Sequence, residues 1–276
     1  NARYIQDEET KKKVKEQAQQ RGISETKMEW QLKPNGDNLL EIIDEDIEFV
    51  KSKFDGLYYG DEKSQVLQEL IRQGKELEFV KEKFESLVGK DKYQVLQELV
   101  RQGKELDFVK ENFDELNGEY EKSKALQELI RQGKELDFVK EKFEELEYSD
   151  YHVKVRVLQE LIRQGKELDF VKSKFDGLYY GDEKSQMLQE LIRQGKELDF
   201  VKEKFNDLGN KYKSKVLQEL VRQGKELDFV KENFDELNGE YEKSKVLQEL
   251  VRQGKELDFV KSKFDGLYYG DEKSQM

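Results

Sequence analysis

The sequence predicts an all-α protein made of stacked helix-turn-helix repeats, and three observations carry that prediction. One phrase recurs with almost no change: Leu-Gln-Glu-Leu, an Ile or Val, then Arg-Gln-Gly-Lys-Glu-Leu. It runs from Leu67 to Leu77, Leu96 to Leu106, Leu126 to Leu136, Leu158 to Leu168, Leu188 to Leu198, Leu217 to Leu227 and Leu247 to Leu257. Self-similarity at a fixed period marks a quasi-one-dimensional array, in which each block hides its apolar face against the next. A Phe-Val pair gives the period: Phe49, Phe79, Phe108, Phe138, Phe170, Phe200, Phe229 and Phe259 follow at steps of 30, 29, 30, 32, 30, 29 and 30 residues. Within each block the apolar residues fall at three- and four-residue steps, the spacing of one helical face.

Residues 1–48 stand apart from this pattern. Lys11-Lys12-Lys13-Val14-Lys15 lies in a polar stretch that reads as a helix or a frayed end, and Ile23 to Leu32 contains the only tryptophan, Trp30. Pro34-Asn35-Gly36-Asp37 is a turn signal. Leu39, Leu40, Ile42 and Ile43 then read as a degenerate second helix of a repeat, followed by Ile47, Phe49 and Val50. An array needs an atypical end unit to cover its first apolar face. Residues 1–48 are therefore expected to form an N-terminal cap with Trp30 as its plug, and residues 49–276 the array, seven full repeats and a C-terminal half repeat.

Each repeat accommodates two amphipathic helices. Leu77, Val80, Phe84 and Leu87 line the first, with Phe79 widening the stripe; Val66, Leu67, Leu70 and Ile71 line the second. Gly74 suits the left-handed position that closes the second helix, with Arg72 in its last turn. The next helix begins within about three residues, which makes the two antiparallel neighbours. Asp107 is a candidate N-cap for the first helix of its repeat, while the equivalent Glu78 is a poorer one. A continuous coiled coil is excluded, since steps of 29 and 32 residues break a heptad phase and a Gly interrupts every repeat. Variation concentrates in the segment between the two helices. It reads Tyr58-Tyr59-Gly60-Asp61 in one repeat, Val88-Gly89-Lys90-Asp91 in the next, Asn117-Gly118-Glu119-Tyr120 in the third, and is longest from Glu147 to Arg156, where it holds the only histidine, His152. Tyr179-Tyr180-Gly181 and Asn238-Gly239-Glu240-Tyr241 then restart the series, so a unit of about four repeats is duplicated.

The chain is 41% charged with a mean hydropathy of −0.98, a balance that leans towards disorder. Leu, Ile, Val and Phe nevertheless make up about 28% of it, above the roughly 20% floor of disordered chains, and their regular spacing indicates a folded chain with a thin core. The absence of cysteine excludes disulfides, thiolate zinc sites and cysteine nucleophiles. No apolar run approaches the roughly 18 residues of a membrane span. A net charge of −12 argues against a general polyanion binder.

The arrangement of residues 49–276 resembles the two-helix α-solenoids as a class. The resemblance implies a right-handed solenoid of about 30-residue repeats and an extended concave surface that binds something long or tail-like. It does not extend to the tetratricopeptide pattern, which needs a longer unit, a Trp near its start, small residues at the helix crossing and a closing Pro; this chain has one Trp and one Pro.

The polar residues narrow the functional classes. Nearly every one is repeated, so no few convergent groups stand out as a catalytic constellation, and each Gly is isolated, so no phosphate-binding loop is present. Asp44-Glu45-Asp46 lacks the ligand spacing of a calcium loop and reads as an acidic helix start. His152 alone builds no metal site. No cofactor and no catalytic residue is expected. Two surfaces are candidates for partner contact. The first is a ladder: Arg72, Arg101, Arg131, Arg163, Arg193, Arg222 and Arg252 form one row, with Gln68, Gln97, Gln127, Gln159, Gln189, Gln218 and Gln248 one turn earlier and Lys75 and its equivalents at the same edge. Such a row suits an acidic peptide or a phosphate backbone; alternatively each Arg pairs with the Glu three residues before it, as Glu69 with Arg72. The second is the variable segments, with Tyr58, Tyr59, Tyr120, Tyr148, Tyr151, Tyr179, Tyr180, Tyr241, Tyr268 and Tyr269. Tyrosine supplies large amphipathic area at low entropy cost; alternatively one Tyr per segment tucks onto its neighbour. The expected function is a non-enzymatic scaffold that binds a protein or peptide. A structural stalk of a microbial surface or secreted protein and a single-stranded nucleic-acid binder are the alternatives, the last disfavoured because its reading positions do not vary. The final helix, Phe259 to Leu267, is expected to lack a covering helix and to promote end-to-end association.

Overall fold

The computed structural model of the chain describes residues 36–116, 118–147 and 152–264, together with Glu16 and Gly22. The described residues form sixteen α-helices and two 3-10 turns, with no strand. They divide into two compact units, Asn1–Lys134 and Glu135–Met276. Trp30, the basic run at 11–15, Tyr148, Tyr151, Tyr268 and Tyr269 lie outside the described residues.

The first unit contains α1 (Gly36–Glu41), α2 (Ile47–Phe54), α3 (Gly60–Gln73), α4 (Leu77–Phe84), α5 (Lys90–Gln102), α6 (Leu106–Glu111), a 3-10 turn at Phe113–Glu115 and α7 (Glu119–Gln132). The second contains α8 (Leu136–Glu145), α9 (Val153–Gln164), α10 (Leu168–Lys174), α11 (Gly181–Gln194), α12 (Leu198–Lys204), a 3-10 turn at Phe205–Asp207, α13 (Asn210–Gln223), α14 (Leu227–Phe234), α15 (Glu240–Arg252) and α16 (Leu257–Phe264). Long helices alternate with short ones. In the first unit α1 packs on α3, α3 on α5 and α5 on α7; in the second α9 packs on α11, α11 on α13 and α13 on α15. Short helices lean on the long helix before them, as α4 on α3 and α6 on α5 in the first unit and α12 on α11 in the second.

The core follows the expected stripes. Val66, Leu67, Leu70 and Ile71 of α3 are fully buried, as are Met187, Leu188, Leu191 and Ile192 of α11. Leu39, Ile42 and Ile43 are buried beside α3, so the degenerate repeat before residue 49 shares this core. Helix α4 stops at Phe84, earlier than the stripe through Leu87 predicted, and Leu87 is buried from the turn beyond it. The phenylalanines that end the short helices (Phe54, Phe84, Phe113, Phe143, Phe175, Phe205 and Phe234) are buried. Several of them meet a phenylalanine of the next repeat edge to face: Phe54 and Phe79 at 5.4 Å between centroids, Phe84 and Phe108 at 5.2 Å, Phe205 and Phe229 at 5.2 Å. This is the favoured geometry for aromatic rings. Phe264, the last of the row, is only partly buried.

The turn between long and short helix is set by the Gly-Lys-Glu of the recurring phrase. Gly74 adopts φ 68°, and the Lys75 and Gly74 N–H groups donate to Leu70 O and Ile71 O, each at 3.0 Å. That pair of bonds is a Schellman closure, which glycine adopts without a Cβ clash. The ammonium of the next repeat completes it: Lys104 Nζ donates to Ile71 O at 2.7 Å, and Lys225 Nζ to Ile192 O at 2.8 Å. The short helices do not begin where Asp107 was expected to cap. They begin two residues earlier, after a glutamate in the left-handed region: Glu76 has φ 55°, Glu105 49° and Glu197 50°. A left-handed non-glycine residue costs about 1–2 kcal/mol. The glutamate nonetheless turns the chain within two residues, and its carboxylate meets a lysine of the preceding short helix.

Candidate functional site

The arginine row is engaged within the protein. Arg72 lies 3.1 Å from Glu69 on its own helix and 3.4 Å from Glu98 on the next long helix. Arg163 contacts Glu160 at 3.5 Å and Glu190 at 3.3 Å; Arg193 contacts Glu190 at 3.3 Å and Glu219 at 3.2 Å; Arg222 contacts Glu219 and Glu249, both at 3.3 Å. Arg101, Arg131 and Arg252 each meet the glutamate three residues before them, at 3.8, 3.0 and 3.1 Å. The shared glutamates are almost fully buried: Glu98, Glu190 and Glu249 are 3% exposed and Glu219 2%. Their second oxygens accept from the Gln beside the closing Gly, Gln102 to Glu98 and Gln223 to Glu219, both at 3.0 Å. A buried carboxylate needs such partners, since leaving it unpaired carries the full desolvation cost. Arg72, Arg163, Arg193 and Arg222 therefore fasten one repeat to the next.

The glutamine row is also engaged inward. Gln68, Gln127, Gln189 and Gln218 donate to the serine one turn earlier: Ser64 at 2.9 Å, Ser123 at 3.1 Å, Ser185 at 2.9 Å and Ser214 at 3.1 Å. Ser64 passes the chain on, donating to Gln94 Oε1 at 3.1 Å, and Ser214 donates to Glu242 O at 3.0 Å. At Gln97 and Gln159 the serine is replaced by Tyr93 and Val155. Gln248 accepts from Lys245 Nζ at 3.4 Å. A third row, on the short helices, was not singled out from sequence. Lys81 joins Glu78 at 2.6 Å and the left-handed Glu105 at 3.1 Å; Lys172 joins Glu197 at 2.9 Å and Asp169 at 3.0 Å; Lys202 joins Asp199 and Glu226. These bonds hold the ammonium groups above their ordinary value, through Glu78 and then Glu105 for Lys81, and through Glu197 and then Asp169 for Lys172. The unvarying Glu of Gly-Lys-Glu was the sequence signal for this row.

The variable segments behave differently. Tyr58 is 87% exposed, Tyr59 61%, Tyr120 41%, Tyr179 80%, Tyr180 38% and Tyr241 59%. Val88 on the intervening segment is 74% exposed. The leucines of the same turns, Leu57, Leu87, Leu178 and Leu237, are buried, so the turns close the core without the tyrosines. Two pairs stack edge to face, Tyr58 with Tyr59 at 5.0 Å and Tyr179 with Tyr180 at 4.9 Å. Lys124 lies over Tyr120 at 5.4 Å and Lys245 over Tyr241 at 5.1 Å, cation–π contacts that leave the rings at the surface.

Charge at this edge is uneven. Asp91 is held above its ordinary value, first by burial and then by the carboxylate of Asp61, with Lys90 opposing. His152 occupies the left-handed position before α9 at φ 74°; its Nε2 lies 3.6 Å from Asp182 and its Nδ1 3.7 Å from Glu183. Among the described residues no three His, Asp or Glu side chains converge to hold a metal ion, and no helix is long and apolar enough to cross a membrane. No protein-family model matches the chain, and a comparison with curated proteins finds no relative.

Proposed function

We propose that the repeats of each unit stack as a right-handed α-solenoid, with residues 1–48 as cap and 49–276 as array, and that the protein is a non-enzymatic scaffold for a protein or peptide partner. One observation carries the proposal. The arginines that recur in every repeat are exposed yet held in ion pairs with buried glutamates, whereas the side chains that vary include exposed aromatics on the turns. An exposed tyrosine that closes no core is a typical interface residue. The Arg and Gln rows then serve cohesion, and contact falls to Tyr58, Tyr59, Tyr120, Tyr179, Tyr180 and Tyr241. A peptide-display selection against the immobilised chain tests this. Binders whose affinity falls when these tyrosines become serine support it; no binders, together with turnover of a small substrate, overturn it.

A second reading, a structural stalk, draws on a different observation: the Arg–Glu and Lys–Glu ladders run through successive repeats and add cohesion with each one. Removing a four-repeat block separates the two. A stalk keeps its role at shorter length, while a binder loses the affinity carried by the deleted turns.

A further inference from the structure

The turn edge of the first unit brings three features together. Tyr58 and Tyr59 stand exposed with their rings at 87° and 5.0 Å apart, so ring face is open to solvent. Gly60 follows, and the carboxylate of Asp91 from the next repeat lies over it, where a Cβ would stand. Asp61 is the next residue, and its negative charge adds to burial in disfavouring the charge of Asp91. Two nearby ammonium groups are directed elsewhere, Lys83 to Asp55 at 2.9 Å and Lys63 over Phe54 at 6.0 Å, while Lys90 partly offsets the charge of Asp91. Neither Asp61 nor Asp91 has a salt bridge among the described residues.

Open aromatic faces beside two carboxylates that form no salt bridge complement a cation on an apolar stem, as in arginine or lysine. We propose that the edge formed by Tyr58, Tyr59, Asp61 and Asp91 docks an Arg- or Lys-bearing extended segment of a partner polypeptide. The cation relieves the crowding of the two carboxylates while its stem covers the rings and Val88. The proposal rests on the protein-binding reading and names the partner's chemistry. The second unit carries an internal control. There the same Tyr-Tyr-Gly-Asp sequence recurs, but Asp182 faces His152 at 3.6 Å, and Tyr212 stands over Gly181 where Asp91 stands over Gly60. That copy has no carboxylate over its glycine, and its Asp182 and Glu183 both face His152.

The test is a fluorescence-anisotropy titration of the full chain with a labelled dodecapeptide of alternating Arg and Gly at low salt. Saturable binding is expected, weakening at least tenfold in D61N/D91N and in Y58S/Y59S, and falling with added salt. Y179S/Y180S is expected to leave the affinity within twofold. Circular dichroism melts near that of the parent chain show that the variants fold. No binding, equal affinity for a Glu-Gly peptide, or equal losses from both tyrosine pairs overturns the proposal. A display selection separates this outcome from failure of the scaffold reading: binders lacking basic residues sink the cationic-partner inference alone, and an absence of binders sinks both.

Discussion

Phe49–Gln65 and Phe170–Gln186 are the same seventeen residues in the same order. Both make a short helix, a buried Phe and Leu, an edge-to-face tyrosine pair and the start of a long helix. They differ in what the adjacent repeats bring to them. Glu62 in the first copy rests against Gly36 and is partly exposed. Glu183 in the second is 4% exposed, lies 3.7 Å from His152, and accepts the Tyr180 N–H at 3.1 Å. Tyr59 is correspondingly more open than Tyr180. On the other side, Asp91 crowds Asp61 in the first copy, while Tyr212 takes its place in the second. Identical sequence thus gives identical backbone and core but different surface chemistry, because a repeat's surface is completed by its neighbours.

Mutations at matched positions sharpen that contrast. The largest effects should be equal in the two copies. Phe54→Ala and Phe175→Ala should each destabilise by about 3–5 kcal/mol in urea unfolding, since both rings are fully buried and meet the next phenylalanine at 5.4 and 5.5 Å. A large inequality would show that the cores are not equivalent. Gly74→Ala and Gly195→Ala should cost about 1–2 kcal/mol each, because both glycines are left-handed and the new methyl would press on Lys104 or Lys225 at 2.9 and 2.8 Å. The next pair should diverge. Glu183→Ala removes a helix-start hydrogen bond and should cost about 0.5–1.5 kcal/mol, whereas Glu62→Ala should stay within about 0.5 kcal/mol. Similar losses would deny His152 and the Tyr180 N–H any particular grip on Glu183.

The smallest effect concerns Asp91. Its folded-state value is raised above 3.8, so the folded chain holds the Asp91 proton more tightly than the unfolded chain. The corresponding stability is present below 3.8 and is lost as pH rises past that value towards the folded one. Asp91→Asn should therefore raise the melting temperature slightly at neutral pH and leave it unchanged near pH 3. A lower melting temperature at neutral pH would mean that the carboxylate is compensated after all.

Much of this was legible in the chain before any coordinates. The recurring phrase located the long helices, their closing glycines at Gly74, Gly103 and Gly165, and the buried rows of Val, Leu and Phe. Glu69 and Arg72 were visible as a pair at helical spacing. The second partner of that arginine, Glu98, was not, because it lies on another helix 26 residues away. The left-handed glutamates were missed for a similar reason: propensity favours Asp107 as a cap, and only the Schellman exit from the helix before it moves the cap two residues earlier, to Glu105.

Periodicity alone determined that the protein is helical, where the long helices close and which apolar side chains are interior, because helical phase and glycine geometry are local properties. Tertiary structure decided which charges are consumed and which remain available. Whether Arg72, Asp61 or Tyr58 is free to meet a partner depends on the side chains that the next repeat places within a few ångströms, and repeats nearly identical in sequence still differ at those positions.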